Sequence, residues 1–255
     1  MPPHKKHFKA MKKILLLSVV AIMAMTSAKA DIVTSRSFYK EGPRMTWFVR
    51  GGVSLNSISG DFVKDWKDLA SASNDKMSFG MKVGFDVSAG FQRYFGKKNA
   101  YWGLELGIGT RGFSSKYDDV YTTHVDGNDV DKTDTYKASL NNINVKLPIF
   151  FGYCQPIGEH LKIDAHVGPY VSYDFSRSAK DDDGIFESHR SYSTLKDMAK
   201  EDVLGLDVGA AVGIGLWYDH FLFDITYQKG FFETVKYGGD KATSSHIMFR
   251  IGYGF

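Results

Sequence analysis

Eight stretches of this chain alternate apolar residues with small or polar ones at a period of two. An extended chain points successive side chains to opposite faces, so this period predicts strands with one apolar face. The first runs from Trp47 to Asn56, with Trp47, Val49, Val53 and Leu55 against Arg50, Gly52 and Ser54. The second, from about Phe79 to Phe95, sets Met81, Val83, Phe85, Val87, Ala89 and Phe91 against Lys82, Gly84, Asp86, Ser88 and Gly90. The third begins near Tyr101 and sets Trp102, Leu104, Leu106 and Ile108 against Gly103, Glu105, Gly107 and Gly109. The fourth carries Ile143, Val145, Leu147, Ile149, Phe151 and Tyr153 on one face, and the fifth Leu161, Ile163, Ala165, Val167 and Val171. The sixth runs from Leu206 to Leu216, the seventh from Phe221 to Tyr227, and the eighth places Ile247, Phe249, Ile251, Tyr253 and Phe255 on one parity.

The connections alternate in length. Gly96 to Asn99, Gln155 to Glu159, and Asp219-His220 are hairpin turns, whereas Ser57–Ser78, Ser114–Ser139, Ser176–Asp202 and Gly230–Ser244 are long and polar. Short turns at one end, long loops at the other and an even strand count predict an all-β fold. The expected architecture is an eight-stranded antiparallel transmembrane β-barrel, with short periplasmic turns and long extracellular loops. Both termini then lie in the periplasm. Aromatics beside the short turns (Trp47, Tyr94, Phe95, Tyr101, Trp102, Tyr153, Trp217, Tyr218, Phe221, Tyr253 and Phe255) predict an interfacial girdle. Phe62, Trp66 and Leu69 predict one or two helical turns in the first long loop, and Pro148 and Pro169 predict local ladder breaks.

Residues 1–30 read as a cleaved signal peptide. Met11 is the expected initiator, Lys12 and Lys13 the basic start, Ile14 to Met25 the apolar centre and Ala28-Lys29-Ala30 the cleavage site. A periplasmic segment, 31–45, then precedes the barrel at 46–255. The full chain carries net charge +3, but without the leader 26 basic residues face 29 acidic ones, a net of −3. That balance gives no support for nucleic-acid binding. The single Cys154 excludes an intrachain disulfide and reads as a packed small residue.

Continued alternation sends Arg50, Lys82, Arg111, Lys146, Lys162 and Arg250 inward, with Asp86, Glu105, Asp164, Asp174, Asp207 and Asp224. Side chains fill an eight-stranded barrel, and charges there are costly unless paired. Six cations against six carboxylates therefore predict a lumen charge network, with inward glycines making room, and no wide channel. A soluble ligand-binding barrel would show the same alternation with its faces reversed. The leader, the girdle, the charged second face and the terminal aromatic favour the membrane.

Two motifs carry a family resemblance. Asn142-Ile143-Asn144-Val145-Lys146-Leu147-Pro148-Ile149-Phe150-Phe151-Gly152-Tyr153 resembles a strand of PorT-like outer-membrane β-barrel proteins. The run from Gly205 to Gly215, followed by Phe223 to Gly230, is similar to two later strands of that family, although Gln228 and Lys229 depart from its pattern. The resemblance implies an outer-membrane location and, through PorT, a link to protein secretion. The alternating Phe249, Ile251, Tyr253 and Phe255 also resemble the assembly signal of bacterial outer-membrane barrels, which implies contact with the barrel-assembly machinery. No cofactor is expected. His124, His160, His166, His189, His220 and His246 show no convergent catalytic spacing, and Asp126 to Asp131 lacks the later Glu of a calcium loop. The chain reads as a non-enzymatic interaction barrel in contact with outer-membrane lipid, its loops meeting a protein partner or surface ligand. The alternatives are an accessory of secretion or envelope assembly, and a lipid-modifying or proteolytic barrel enzyme.

Overall fold

The structure, a computed structural model, describes residues 45–255 except 74, 96–98, 126–127, 182–204, 232–234 and 238–239. The predicted leader and the loop tips at Asp126 and Asp183 lie outside the described residues. Ten strands and one helix follow in order: β1 (Met45–Gly60), α1 (Asp61–Ala72), β2 (Lys76–Gly80), β3 (Lys82–Tyr94), β4 (Ala100–Val125), β5 (Asn128–Pro156), β6 (Leu161–Asp181), β7 (Leu206–Tyr218), β8 (Phe221–Gly230), β9 (Val235–Tyr237) and β10 (Asp240–Gly254). Eight of the strands close a ring. The order β1, β3, β4, β5, β6, β7, β8, β10 is antiparallel throughout, and β10 returns to β1 from Phe48↔Gly254 to Gly60↔Ala242. The seam is finished by reciprocal bonds: Trp47 N–H donates to the Phe255 carbonyl at 3.0 Å, and Phe255 N–H donates back at 2.8 Å.

The apolar parity of each wall strand faces outward. Val83, Leu106, Ile214 and Ile251, 59 to 68 % exposed, form part of an apolar belt of the kind that a membrane interior covers. At the turn end, Asp219 adopts φ 52°, the left-handed conformation that a two-residue hairpin demands and that Asp tolerates.

The outer ends depart from the predicted loops. Ser114–Ser139 is not a loop but the continuation of β4 and β5, paired up to Val125↔Asn128. β6 follows β5 outward as far as Ala138↔Asp181. The second predicted strand is broken at Met81, where the ladder stops and restarts. Phe79 consequently turns inward, while Val83 and Phe85 keep the lipid parity. The helix in the first loop spans twelve residues; Phe62 and Ala70 are buried and Leu69 faces out. Gly60, at φ 138° and ψ −173°, lets β1 turn directly into α1, in a region closed to side chains. The ladder lapses beside Pro148 and Pro169 but resumes in register, and the one bulge between β5 and β6 lies at Ile143/Asn144.

Three layers fill the interior. At the periplasmic end Phe48, Tyr101, Phe150, Cys154, Trp217 and Leu222 form an apolar plug. Tyr101 and Trp217 therefore point into the barrel rather than joining the girdle, since parity, not nearness to a turn, decides their side. The middle layer is ionic. At the outer end Ile58, Phe113, Ala242 and Leu140 face inward and receive Phe62, Val63 and Trp66 of α1, which lies over the mouth as a lid.

Candidate functional site

Inside the barrel, cross-strand spacing decides which side chains can exist. Arg50 lies opposite Gly252, and Arg250 opposite Gly52, across the seam. A Cβ on Gly52 would come within 1.9 Å of the Phe249 carbonyl, and one on Gly252 within 2.7 Å of the Val49 carbonyl and 2.9 Å of Arg50 Cβ. The glycines thus let the seam strands approach while two guanidinium groups fill the space.

Those groups organise the central cluster. Arg250 bonds Asp224 through Nε at 2.8 Å, and through Nη1 reaches Asp86 at 3.1 Å and Glu105 at 2.9 Å. Arg50 pairs with Glu105 and, at 3.1 Å, with Asp224; Lys146 pairs with Asp86. Three cations meet three carboxylates, every one nearly inaccessible to solvent. Nearer the outer end, Arg111 joins Asp174 at 2.6 Å and Asp207 at 2.8 Å. Asn142, Tyr170 and Ser244 donate further bonds to the same two carboxylates. Lys162 and Asp164 are buried toward the periplasmic end, and Lys82 is half-buried opposite Asn56. The predicted inward set thus gives two ion clusters, with Lys162, Asp164 and Lys82 placed outside them. Between the clusters is a polar cavity bordered by Asn56, Asp86, Arg111, Lys146 and His246, with room for about one water.

His166 links Asp164, at 2.9 Å from Nδ1, to Thr226, at 3.2 Å from Nε2. The connectivity is that of an Asp–His–hydroxyl relay, but its chemistry is not. Thr226 donates its proton to Asp224 and accepts from Arg250 Nη2, leaving no lone hydroxyl for attack. All three side chains are buried, and the one-water cavity above does not reach them. This chain reads as lumen filling.

Outside the membrane belt, β4 and β5 rise as a ribbon. Twelve residues from Ser114 to Val125 at about 3.3 Å each give a reach of roughly 40 Å. Tyr117 and Tyr136 stack across it at 6.2 Å. Asp75 fastens the lid segment to the ribbon, accepting from Tyr117 Oη at 2.5 Å and from Val120 N–H at 3.1 Å. These two bonds hold the Asp75 carboxyl below its usual pKa, while burial and Asp75 push the Tyr117 phenol up to about 12. At the opposite end His160 bonds Asp219 at 2.8 Å, which raises the imidazole pKa and ties two turns together.

Residues 35–236 match the family model described as the outer membrane protein beta-barrel domain. The chain belongs to that family. Solved structures similar to this outer-membrane barrel include OprG of Pseudomonas aeruginosa, at 17% identity, covering 82% of this chain and 95% of that one, with a TM-score of 0.39. Ail, the attachment invasion locus protein of Yersinia pestis, is 12% identical, with 84% and 100% covered and a TM-score of 0.34. Neisserial surface protein A is 10% identical, with 82% and 97% covered and a TM-score of 0.35. No curated protein matches the chain.

Phe249, Ile251 and Tyr253 lie exposed on the lipid face of this outer-membrane barrel, with Phe255 half-buried at its end. Sequence reasoning missed the aromatic plug, the His166–Thr226 link and the Asn142, Tyr170 and Ser244 donors. The plug had a signal: Phe48, Phe150, Cys154 and Trp217 share the inward parity of the charges on their own strands. The donors had none, since Ser, Thr and Asn are common on any inward face.

Proposed function

We propose that this outer-membrane barrel is a non-enzymatic surface interaction protein, a rigid filled pedestal that presents the β4–β5 ribbon and the α1 lid to an extracellular protein or ligand. The observation that carries this reading is the filled interior joined to the long ribbon. Among the described residues, two buried ion clusters and an apolar layer at each end fill the interior, which supports contact with other molecules at the outer surface. In this reading residues 1–30 are removed on export, lipid covers the apolar belt, and the barrel-assembly machinery reads Phe249, Ile251, Tyr253 and Phe255. The buried charges are structural, holding the wall strands in one arrangement. Removal of residues 116–137 should leave a folded, heat-resistant barrel that no longer retains the cells' surface ligand. Retention of every surface interaction by that variant would reject the reading. A second reading, an accessory role in secretion or envelope assembly, rests on the PorT-like strand from Asn142 to Tyr153; gene deletion followed by assay of secreted protein tests it.

A further inference from the structure

Among the described residues, the ribbon has an open backbone edge. On the side of β4 away from β5, β2 pairs only from Gly80↔Ser114 to Lys76↔Asp118. The next donor on that side, Val120 N–H, is taken by the Asp75 carboxylate. Strand geometry repeats its direction every second residue, so the N–H and C=O groups of Thr122 and His124 point to the same side. Among the described residues no strand pairs with them. The ladder toward β5, meanwhile, continues to the tip.

The residues along this edge suit strand addition. Val120-Tyr121-Thr122-Thr123-His124-Val125 is β-branched or aromatic apart from His124, and carries no Asp, Glu, Lys, Gly or Pro. Natural edges are usually blunted by lysine, proline or a bulge; none stands in this run. Its surroundings are acidic. Residues 114–139 hold six aspartates against three lysines, and Asp118-Asp119 immediately precede the run. Asp129 and Asp131 lie cross-strand from His124 and Thr122. A second copy pairing antiparallel with this edge would bring acidic ends together, which opposes self-association.

We infer that the Val120–Val125 edge of β4 binds an extended segment of another protein by strand addition, and that the segment carries Lys or Arg beside a β-branched core. The inference rests on the surface-interaction reading above and names the partner's chemistry. Backbone pairing supplies the contact, and the flanking aspartates choose the charge.

The test uses the full chain in detergent micelles and a labelled synthetic peptide of alternating Val and Thr flanked by lysines. Saturable binding is expected, at least tenfold tighter than that of the same peptide flanked by glutamates. Thr122→Pro deletes the edge N–H, a change that edge strands tolerate. It should weaken binding at least tenfold, as should His124→Pro. Thr122→Ala loses the same side-chain bond to Asp131 but keeps the N–H, and should stay within about twofold of the parent. Retained heat resistance on gels shows that each variant is folded. Equal binding of both peptides, or proline variants that bind like the parent, would overturn the inference. So would a dimer in sedimentation that Thr122→Pro dissolves, since the occupant would then be a second copy. If the peptide fails while removal of 116–137 still abolishes surface binding, the edge inference falls and the surface-interaction reading stands.

Discussion

Arg250 donates to carboxylates on three strands, β3, β4 and β8, from a site shielded from water. Removing one partner of such a set leaves charges uncompensated, so Arg250→Ala should destabilise the barrel by about 3–5 kcal/mol in urea unfolding monitored by tryptophan fluorescence. The glycines opposite the seam arginines are as demanding. Ile251→Arg on the lipid face should cost roughly 2–4 kcal/mol near the mid-membrane. Sequence alone would rank Gly252→Ser as the milder change, because it faces the lumen. That ranking holds unless the glycine makes room for a neighbouring charge, and here it does: a Cβ there meets the Val49 carbonyl at 2.7 Å and Arg50 Cβ at 2.9 Å, so Gly252→Ser should also lower the unfolding midpoint measurably. The facing of each charge could be counted along its own strand. Its partner could not, because pairing spans the lumen and depends on stagger. Nor could the closeness of β1 and β10, which no single strand records.

Among the elements, α1 and the ribbon respond to different probes. Asp75 ties the lid segment to β4 as a carboxylate whose pKa is depressed in the folded state. Its contribution is therefore complete above the ordinary carboxylate range and is lost as pH falls through the lower folded value. Limited trypsin cleavage at Lys67 and Lys76, followed at neutral pH, should accelerate in Asp75→Ala, and a protease active in acid should show the parent loosening only below the ordinary carboxylate range. A cysteine at Asp131 should react with an impermeant thiol reagent on intact cells, whereas one at Glu159 should react only after lysis; native Cys154 is buried and adds no background. The strands of the wall were legible because period-two alternation survives in every one. The ribbon was not, since Ser114–Ser139 is polar on both faces and lacks the alternation that burial would impose. Leu69 misled for a related reason: spacing marks a helix but does not say which apolar side chain its lid contact uses.

As a whole, the described interior is filled in three layers, apolar at each end and ionic between. Purified protein in planar bilayers should show little steady conductance, and large stable currents would contradict the packed interior. The eight-strand count and the outward belt were evident from the sequence; the place of the lid was not, because a helical period does not say what the helix packs against, and the plug showed only as apolar residues on the face reserved for charge. The seam carries one more implication. Arg50 and Arg250 stand on the first and last wall strands, and both reach carboxylates across the join. No hairpin formed early in biogenesis can satisfy them. The charges find their full set of partners only when the cylinder shuts. The same bonds and the ladder from Phe48 to Gly60 oppose a sideways parting of the wall between β1 and β10, so the join is built as a clasp.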